Sequence, residues 1–411
     1  MATPLTSSSS RGLWAAISLS IGSVVPILGM PIIVEGLEDH WHLTGAQVGY
    51  ITSIDLAGVF VGSTLTSALA LRIHWRAYLT VALLSASCLN AFCVLHPTLF
   101  LFAALRFGAG MASGAAYASS LALLSRERDT ARGFSLMIFS QVVANALILA
   151  VFPTVDDAYG PAGLFAAIAA TLAVTLCVMP LLPGRLQPPV RAHASGAARS
   201  RSVSAIFLAA LCLGAVAFVY VAIGSYWAYA ERMGVSAGIP ALWVHRFLSA
   251  GVLLSGIGCL AAYWLAKRLG QARPLLFALG AFSAVLLLNG VWQTPLMYVF
   301  TLATFQLCWN FIDIYQLGTL SAVDPSGRAA ACVPAAQGVA LAVGPAAGGV
   351  ALTLGQGYYA VLLMAGVSAA LAACCYTVVY LVHERGGKMQ TAAGMAGLSP
   401  RTVVPPRHDG Y

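Results

Sequence analysis

The sequence predicts an all-α integral membrane protein with twelve transmembrane helices in two six-helix halves related by an internal repeat. Only 8% of the residues are charged, against about 25% in soluble globular proteins, and 60% are hydrophobic. The hydrophobic residues form twelve segments near the ~20-residue length that a helix needs to cross a bilayer. Matching residues also recur at a constant offset of 196 positions.

Each predicted span ends near proline, glycine or charged residues. Several spans are rich in glycine and alanine, which allow helices to pack closely in a bilayer. In chain order the spans are Leu13–Val34, Gly45–Leu71, Ala77–Leu95, Thr98–Leu124, Gly133–Pro153, Pro161–Leu182, Val203–Tyr229, Ala241–Ala266, Pro274–Val291, Pro295–Leu320, Ala329–Leu352 and Gly357–Val382.

The positions of the basic residues predict the orientation. If both termini are cytoplasmic, all but three of the 21 Lys and Arg residues lie on the cytoplasmic side, as the positive-inside rule requires. The exceptions are Arg106, Arg232 and Arg246. The net charge of +8 is therefore a topology signal and does not indicate nucleic-acid binding. We expect a plasma-membrane protein, in a bacterium the inner membrane, acting as a monomer within the lipid bilayer.

Polar segments divide the chain into five predicted regions. A short tail at residues 1–12 precedes a six-helix half at 13–182. The stretch 183–202, "PGRLQPPVRAHASGAARSRS", has the Pro, Ser and Ala content of a cytoplasmic linker. The second half occupies 203–382, and 383–411 form a cytoplasmic tail predicted to be disordered.

The repeat joins residues in corresponding spans of the two halves. At the offset of 196 the matching pairs are Glu35 with Glu231, Gly62 with Gly258, Arg72 with Arg268, Arg132 with Arg328, and Gln141 with Gln337. Two parallel six-helix repeats place a substrate path at the interface between the halves.

Two local patterns indicate a family. The loop after span two, "SALALRIHWRA", keeps Arg72 and Arg76, and its second copy, "AKRLGQAR", keeps Arg268. Span four contains "LRFGAGMASGAA", with Arg106 and Gly110 one helical turn apart. The chain resembles the major facilitator superfamily over essentially its whole length.

This resemblance implies a solute carrier that works by alternating access, with the three loop arginines as gating-loop candidates. The loop departs from the family pattern because Leu71 replaces its aspartate and Lys267 stands at that position in the second copy. Span five lacks the Gly-x-x-x-Gly-Pro motif of the family's drug/proton antiporters, which argues mildly against multidrug export.

Asp55 and Arg106 are charged residues inside otherwise apolar spans. A charge at the bilayer centre costs at least about 2.5–3.5 kcal/mol, so such residues are commonly paired or functional. Both residues lie about eight to ten positions from the outer ends of their spans, in the same half. We predict that they interact, either as a permanent structural pair or as a pair that titrates or binds a substrate anion.

The second half carries a different set of candidates. His245 and Arg246 lie near the outer end of span eight, where Arg246 could attract an anion or extend to the interface. Gln306, Asn310 and Asp313 form one polar stripe on span ten, which lines a cavity or bonds a neighbouring helix.

Further candidates lie on spans five and seven. Tyr220, Trp227 and Glu231 follow helical spacing and could contact a flat solute or belong to an interfacial belt. Gln141 and Asn145 lie near mid-depth and could bind substrate or a neighbouring helix.

We expect no cofactor and no metal site. The nine cysteines show no ligand or disulfide spacing. The stretch "EGLEDHWH" predicts a solvated acidic loop, with a metal site as the lesser alternative. The chain shows no nucleophile elbow, zinc motif or phosphate loop, so it is not expected to be an enzyme.

The predicted function is secondary active transport of a small organic solute, coupled to protons. Asp55, Arg106 and Asp313 are the candidates for charge movement, and basic and aromatic residues favour an organic anion, possibly aromatic, taken up by symport. The alternatives are proton-coupled efflux of a drug or metabolite and a transporter-like sensor.

Overall fold

The computed structural model describes residues 10–69, 74–95, 98–124, 130–182, 203–324, 329, 332–353 and 357–396, and within these ranges the regular structure is entirely helical. The helices are α1 Ser10–Leu28, α2 Met30–Asp39, α3 Gly45–Leu69, α4 Trp75–Cys93, α5 Leu99–Leu124, α6 Thr130–Thr175, α7 Val203–Ala228, α8 Ala230–Ser236, α9 Ala241–Leu269, α10 Ala272–Val291, α11 Pro295–Val323, α12 Val333–Thr353 and α13 Tyr358–Ala396. A 3₁₀ turn, Leu176–Leu181, follows α6.

Twelve membrane crossings follow from these helices. Eleven apolar segments of the described chain are long enough to span a bilayer, and one of them, Leu136–Leu181, has 46 residues. That segment is broken at Gly160, whose φ of 61° and ψ of −164° are not helical and which precedes Pro161. Because 46 residues are about twice the length of one crossing, it supplies two. The loop predicted at 154–160 is instead helical up to this break.

The first span of each half ends in a second, short helix. α1 stops at Leu28, and α2 begins after Gly29 with Pro31 in its first turn, where proline is tolerated. The prediction of a solvated acidic loop was therefore wrong for Glu35 and Glu38, which lie on α2 with side chains only 13% and 12% exposed. In the second half, α7 stops at Ala228 and the short α8 carries Glu231.

The last helix also differs from the prediction. α13 continues to Ala396, beyond the predicted end of the span at Val382. The residues predicted as a disordered tail are thus helical from 383 to 396. The linker predicted at 183–202 lies outside the described residues.

The internal repeat is visible in helix packing. α3 packs on α5 in the first half, and α9 packs on α11 in the second. A Cβ added to Gly62 would overlap the Met111 backbone, and one added to Gly258 would overlap the Leu307 backbone. Met111 and Leu307 are themselves 196 positions apart, so the same close approach occurs twice.

Two equivalent helix pairs join the halves. α3 of the first half packs against α12 of the second, and α9 of the second packs against α6 of the first. Since α3 corresponds to α9 and the first part of α6 to α12, the interface has the two-fold relationship expected of a parallel repeat.

Candidate functional site

The two charges predicted to meet in the first half are in contact. Arg106 Nη2 donates a hydrogen bond to Asp55 Oδ2 over 2.6 Å, and Arg106 Nη1 donates to Asn90 Oδ1 over 2.6 Å. The guanidinium carbon also lies 5.2 Å from the centroid of the Phe165 ring. Arg106 is 4% exposed and Asp55 9%. Each charge therefore offsets the burial of the other within one half of the protein.

A glycine on α5 makes room for this pair. Gly110 lies one turn after Arg106, and a Cβ there would overlap the Asp55 carbonyl oxygen and lie 2.8 Å from Asp55 Oδ1. α3 and α5 can therefore approach closely enough for the two side chains to bond. Sequence reasoning missed Asn90, although an amide inside an apolar span is the signal that would have identified it.

Asp313 lies in a second polar network, in the other half. Tyr220 of α7 donates its hydroxyl to Asp313 Oδ2 over 2.7 Å, and Gln316 Nε2 donates to Asp313 Oδ1 over 3.3 Å. Tyr376 of α13 donates to Gln316 Oε1 over 3.2 Å. Among the described residues, Asp313 accepts from these neutral donors and has no ion-pair partner within 4 Å.

Tyr117 connects this network to the first half. It interacts with Gln141 on its own side and electrostatically with Asp313 on the other. Positions 117 and 313 are 196 apart, so they are equivalent positions in the two halves of the repeat. Tyr117 was not among the predicted site residues, although the repeat pairs this polar aromatic residue with the intramembrane carboxylate of Asp313.

Aromatic rings pack beside the network. The Trp227 ring stacks on Phe305 at a centroid distance of 5.9 Å and an interplanar angle of 10°, and Trp309 lies 5.9 Å from Trp227. Trp227 is 1% exposed and donates its indole N–H to the Ile27 carbonyl over 3.0 Å, across the two halves. It is therefore a packed interior residue and not part of an interfacial belt.

The candidate amide side chains of spans five and ten either bond a neighbouring helix or are buried. Asn310 Nδ2 donates to Ser255 Oγ over 3.1 Å, and Gln141 Nε2 donates to Ser20 Oγ over 2.6 Å. These are bonds to neighbouring helices, the alternative to substrate binding. Gln306 Nε2 and Asn145 Oδ1 are buried and have no hydrogen-bond partner within the part of the chain that the structure describes.

The bundle is closed at the end that carries Glu35, Glu38, Asp39 and Glu231, which we call the acidic end. Arg232 of α8 donates to Glu38 Oε2 over 2.8 Å and to Asp39 Oδ1 over 2.6 Å. Partial burial disfavours the charged guanidinium, but these hydrogen bonds outweigh it and raise the pKa of Arg232. Tyr229 also donates its hydroxyl towards the Gly45 carbonyl over 3.1 Å. Contacts between the halves thus close this end.

Three titratable side chains converge beside these contacts. His245 Nε2 lies 3.1 Å from Glu35 Oε2 and 3.8 Å from Glu231 Oε1. Glu231 is fully buried. Burial, and then the Glu35 carboxylate, raise the pKa of Glu231 above the usual range of a glutamate. The sequence paired the two glutamates by the repeat but did not predict that they meet.

The remaining arginine candidates lie apart from these groups. Arg246 is exposed, and its guanidinium carbon lies 4.8 Å from the centroid of the Trp243 ring, which favours the interfacial alternative. Arg76 donates to the Leu182 carbonyl and Arg268 is exposed. Arg72 lies outside the described residues.

Comparison with known proteins identifies the family. The family model described as Major Facilitator Superfamily matches residues 12–325. The chain belongs to the Major Facilitator Superfamily. No curated protein sequence matches this superfamily member significantly.

Solved structures of this superfamily fold are similar at low sequence identity. A proton-dependent oligopeptide transporter has a TM-score of 0.72 and 11% identity, covering 92% of this chain and 100% of its own. A D-xylose–proton symporter has a TM-score of 0.69 and 14% identity, covering 89% and 95%. A bacterial homologue of the lysosomal transporter Spinster, inward-facing and occupied, has a TM-score of 0.70 and 13% identity, covering 91% and 98%. These likenesses show the shared fold.

As a Major Facilitator Superfamily member, the chain is an integral membrane transporter. Two carboxylates well inside its described spans differ in their partners: Asp55 is ion-paired with Arg106, and Asp313 accepts hydrogen bonds from neutral donors. The first arrangement holds helices together, because both charges are offset. The second can gain or lose a proton without breaking an ion pair.

Proposed function

We propose that this superfamily member couples the transport of a small organic solute to proton movement, and that Asp313 carries the proton. The observation that supports this is the hydrogen bonding of Asp313 to Tyr220 and Gln316, with no ion pair among the described residues. A carboxylate inside a membrane protein without a cationic partner is stabilised when it binds a proton.

The location of Asp313 suits this role better than that of Asp55. Asp55 is bonded to Arg106, which is bonded in turn to Asn90, all within the first half. Asp313 is partly exposed and interacts electrostatically with Tyr117 of the opposite half. A proton bound there changes the charge at the interface on which alternating access depends.

The surroundings of Asp313 favour an uncharged polar solute with a flat ring. Trp309 and Tyr220 provide aromatic surface and a hydroxyl, and Gln306 has an unpartnered amide nitrogen. The predicted preference for an organic anion depended on Arg106 and Arg246. Arg106 is bonded to Asp55, and Arg246 is exposed beside Trp243, so the preference loses its support.

Proton-coupled efflux of an organic cation is the second candidate. The lack of a cationic partner for Asp313 favours it, because the same carboxylate could bind either a proton or a cation beside aromatic rings. The two candidates differ in the direction of coupled flux: symport moves proton and solute together, and antiport moves them oppositely.

We further propose that the acidic end faces outwards, as the positive-inside pattern suggests. With the outer end closed by these contacts, a bound solute would be released towards the cytoplasm. The similar structures include a protein described as a D-xylose–proton symporter and another described as a nucleoside transporter. The first description supports coupling to protons, and both name an uncharged, ring-containing solute.

Flux in proteoliposomes tests the proposal. The full chain is reconstituted with a pH dye in the lumen, and a gradient of one pH unit is imposed in the presence of sugars, nucleosides, carboxylates or organic cations. One proton per solute at one pH unit supports about tenfold accumulation, since one unit corresponds to about 1.4 kcal/mol. We expect uncharged solutes to accumulate with proton entry.

Variants separate proton coupling from solute binding. Asp313→Asn should abolish gradient-driven accumulation but leave solute exchange at equal pH. Asp157→Asn, at an exposed acid of the acidic end, is the matched control and should behave as the native chain. Full gradient-driven accumulation by D313N would refute the role of Asp313, and carboxylate-specific flux would restore the organic-anion alternative.

A further inference from the structure

The trio of Glu35, Glu231 and His245 has the geometry of a metal site. One ligand atom from each residue lies within 4.8 Å of the other two. Glu35 belongs to α2 of the first half, whereas Glu231 and His245 belong to α8 and α9 of the second. The ligands therefore come from three helices and both halves.

The negative charge of Glu231 is not balanced by a neighbouring cationic side chain among the described residues. The residue is 0% exposed, and among the described residues neither carboxylate oxygen has a hydrogen-bond partner, although His245 Nε2 lies 3.8 Å from Oε1. Arg232, next in sequence, is directed to Glu38 and Asp39 instead. A buried carboxylate without a cationic partner strongly destabilises the folded protein. The nearby Glu35 carries the same charge, so a protonated His245 alone would leave a net negative trio.

The repeat explains why these acids meet. Glu35 and Glu231 are equivalent positions in the two halves, and equivalent residues can touch only near the axis that relates the halves. His245 has Gly49 as its counterpart, where a Cβ would overlap the Pro345 carbonyl and the Tyr229 hydroxyl. The site therefore has two oxygen ligands and one nitrogen ligand.

This ligand set matches Zn²⁺. Zinc binds imidazole nitrogen and carboxylate oxygen at about 2.0–2.2 Å in tetrahedral geometry, which places ligand atoms about 3.4 Å apart. The two separations from His245 Nε2 are 3.1 Å and 3.8 Å. Magnesium and calcium prefer oxygen ligands alone, so the histidine favours a transition metal.

We propose that Glu35, Glu231 and His245 bind one Zn²⁺ ion, and that the bound ion holds the acidic end closed. The ion would link α2 to α8 and α9 beside the Arg232 contacts, and opening this end would require its release. Zinc on the same side as the acidic end would then inhibit transport. This regulation goes beyond the proposed coupling at Asp313.

Binding is measured on the full chain in detergent micelles. Metal is removed with a chelator, the cysteines are blocked with N-ethylmaleimide, and ZnCl₂ is added while bound zinc and thermal stability are recorded. We expect one zinc per chain and a higher melting temperature. Glu231→Gln and His245→Gln should each weaken binding more than tenfold, since even supporting residues of metal sites contribute 10–100-fold.

The controls lie at the same end of the protein. His42→Gln and Asp157→Asn change exposed residues outside the trio and should leave zinc binding unchanged. If Glu231→Gln does not fold, His245→Gln provides the test. Absence of zinc binding, or equal binding by the native chain and H245Q, would overturn the proposal. A proton shared between Glu35 and Glu231 would then be the way in which the charge of the trio is reduced.

The closing effect has its own measurement, independent of any solute. Spin labels are placed at exposed positions 157 and 293, in different halves, in a background without native cysteines. Zinc should narrow the distance distribution between them in the native trio and have no effect in H245Q. An unchanged distribution despite stoichiometric zinc binding would overturn the closing role.

Discussion

Neutralising either member of the Asp55–Arg106 pair should destabilise the protein far more than neutralising both. Asp55→Asn leaves a buried guanidinium whose remaining described partners, Asn90 and the Cys93 thiol, are neutral, and Arg106→Met leaves a buried carboxylate. The double variant removes both charges and keeps similar side-chain volume beside Phe165.

The structure sets the magnitude of this effect. Arg106 Nη2 and Asp55 Oδ2 are 2.6 Å apart in a site where the arginine is 4% exposed. With the charge centres about 4 Å apart, the attraction is about 4 kcal/mol at an effective dielectric of 20. Breaking one side of a buried pair costs about 3–5 kcal/mol, whereas replacing the whole pair is often close to neutral. Two single effects of this size and a nearly neutral double variant correspond to a coupling energy of about 6 kcal/mol or more in the double-mutant cycle.

Reversible unfolding of the full chain in mixed micelles of increasing SDS fraction gives the three free energies needed for this double-mutant cycle. Asn90→Ala is the matched control, because it removes one hydrogen bond to Arg106, worth about 1.5–3 kcal/mol, and keeps the ion pair. If the two single effects simply add in the double variant, the reasoning is refuted and the pair contributes no mutual stabilisation.

The other predictions concern helix approach and closure. Gly110→Ala should strongly lower the melting temperature, because its Cβ would overlap the Asp55 carbonyl, whereas Gly280→Ala has free space and should be neutral or stabilising by up to about 1 kcal/mol; equal shifts would contradict this. Arg232→Gln should favour opening of the acidic end about fivefold, since partly exposed ion pairs contribute about 1 kcal/mol or less, and labelling of a cysteine placed at that end measures the shift; unchanged labelling would count against the contact. Trp227→Phe keeps the stack on Phe305 but loses the bond to the Ile27 carbonyl, and should cost about 1 kcal/mol in the same unfolding assay; a neutral result would show that this bond adds nothing.

The sequence predicted the features that depend on local composition and on the repeat. Apolar length gave the twelve crossings, and equal depth of Asp55 and Arg106 gave their contact. It failed where helices continue through polar residues: Glu35 and Glu38 were assigned to a loop because a short charged stretch resembles one, although α2 places them against the second half.

The second-half network shows the other limit. Helical spacing placed Asp313 on a polar stripe but could not show that Tyr220, more than 90 residues earlier, is its donor. Arg246 illustrates the same limit, because its position in the first turns of α9 did not show which side of the helix it lies on. Which residues of two helices touch depends on how each helix is rotated about its own axis. The sequence of one span does not determine that rotation.

The residues around Asp55 differ in size from their counterparts in the second half. Asp55 and Gly110 correspond to Gly251 and Gln306. In the first half the large side chain is on α3 and the glycine on α5, whereas in the second half the glycine is on α9 and the large side chain on α11. A Cβ added to Gly251 would lie 3.6 Å from Gln306 Cγ. The counterpart of Arg106 is Leu302. Moving the charge into the second half would require three replacements together, because each alone would overfill a packed site or strand a charge in it. The two halves can therefore continue to diverge in sequence at these positions. They cannot easily become identical again, because each half has packed its helices around a different arrangement of large and small side chains.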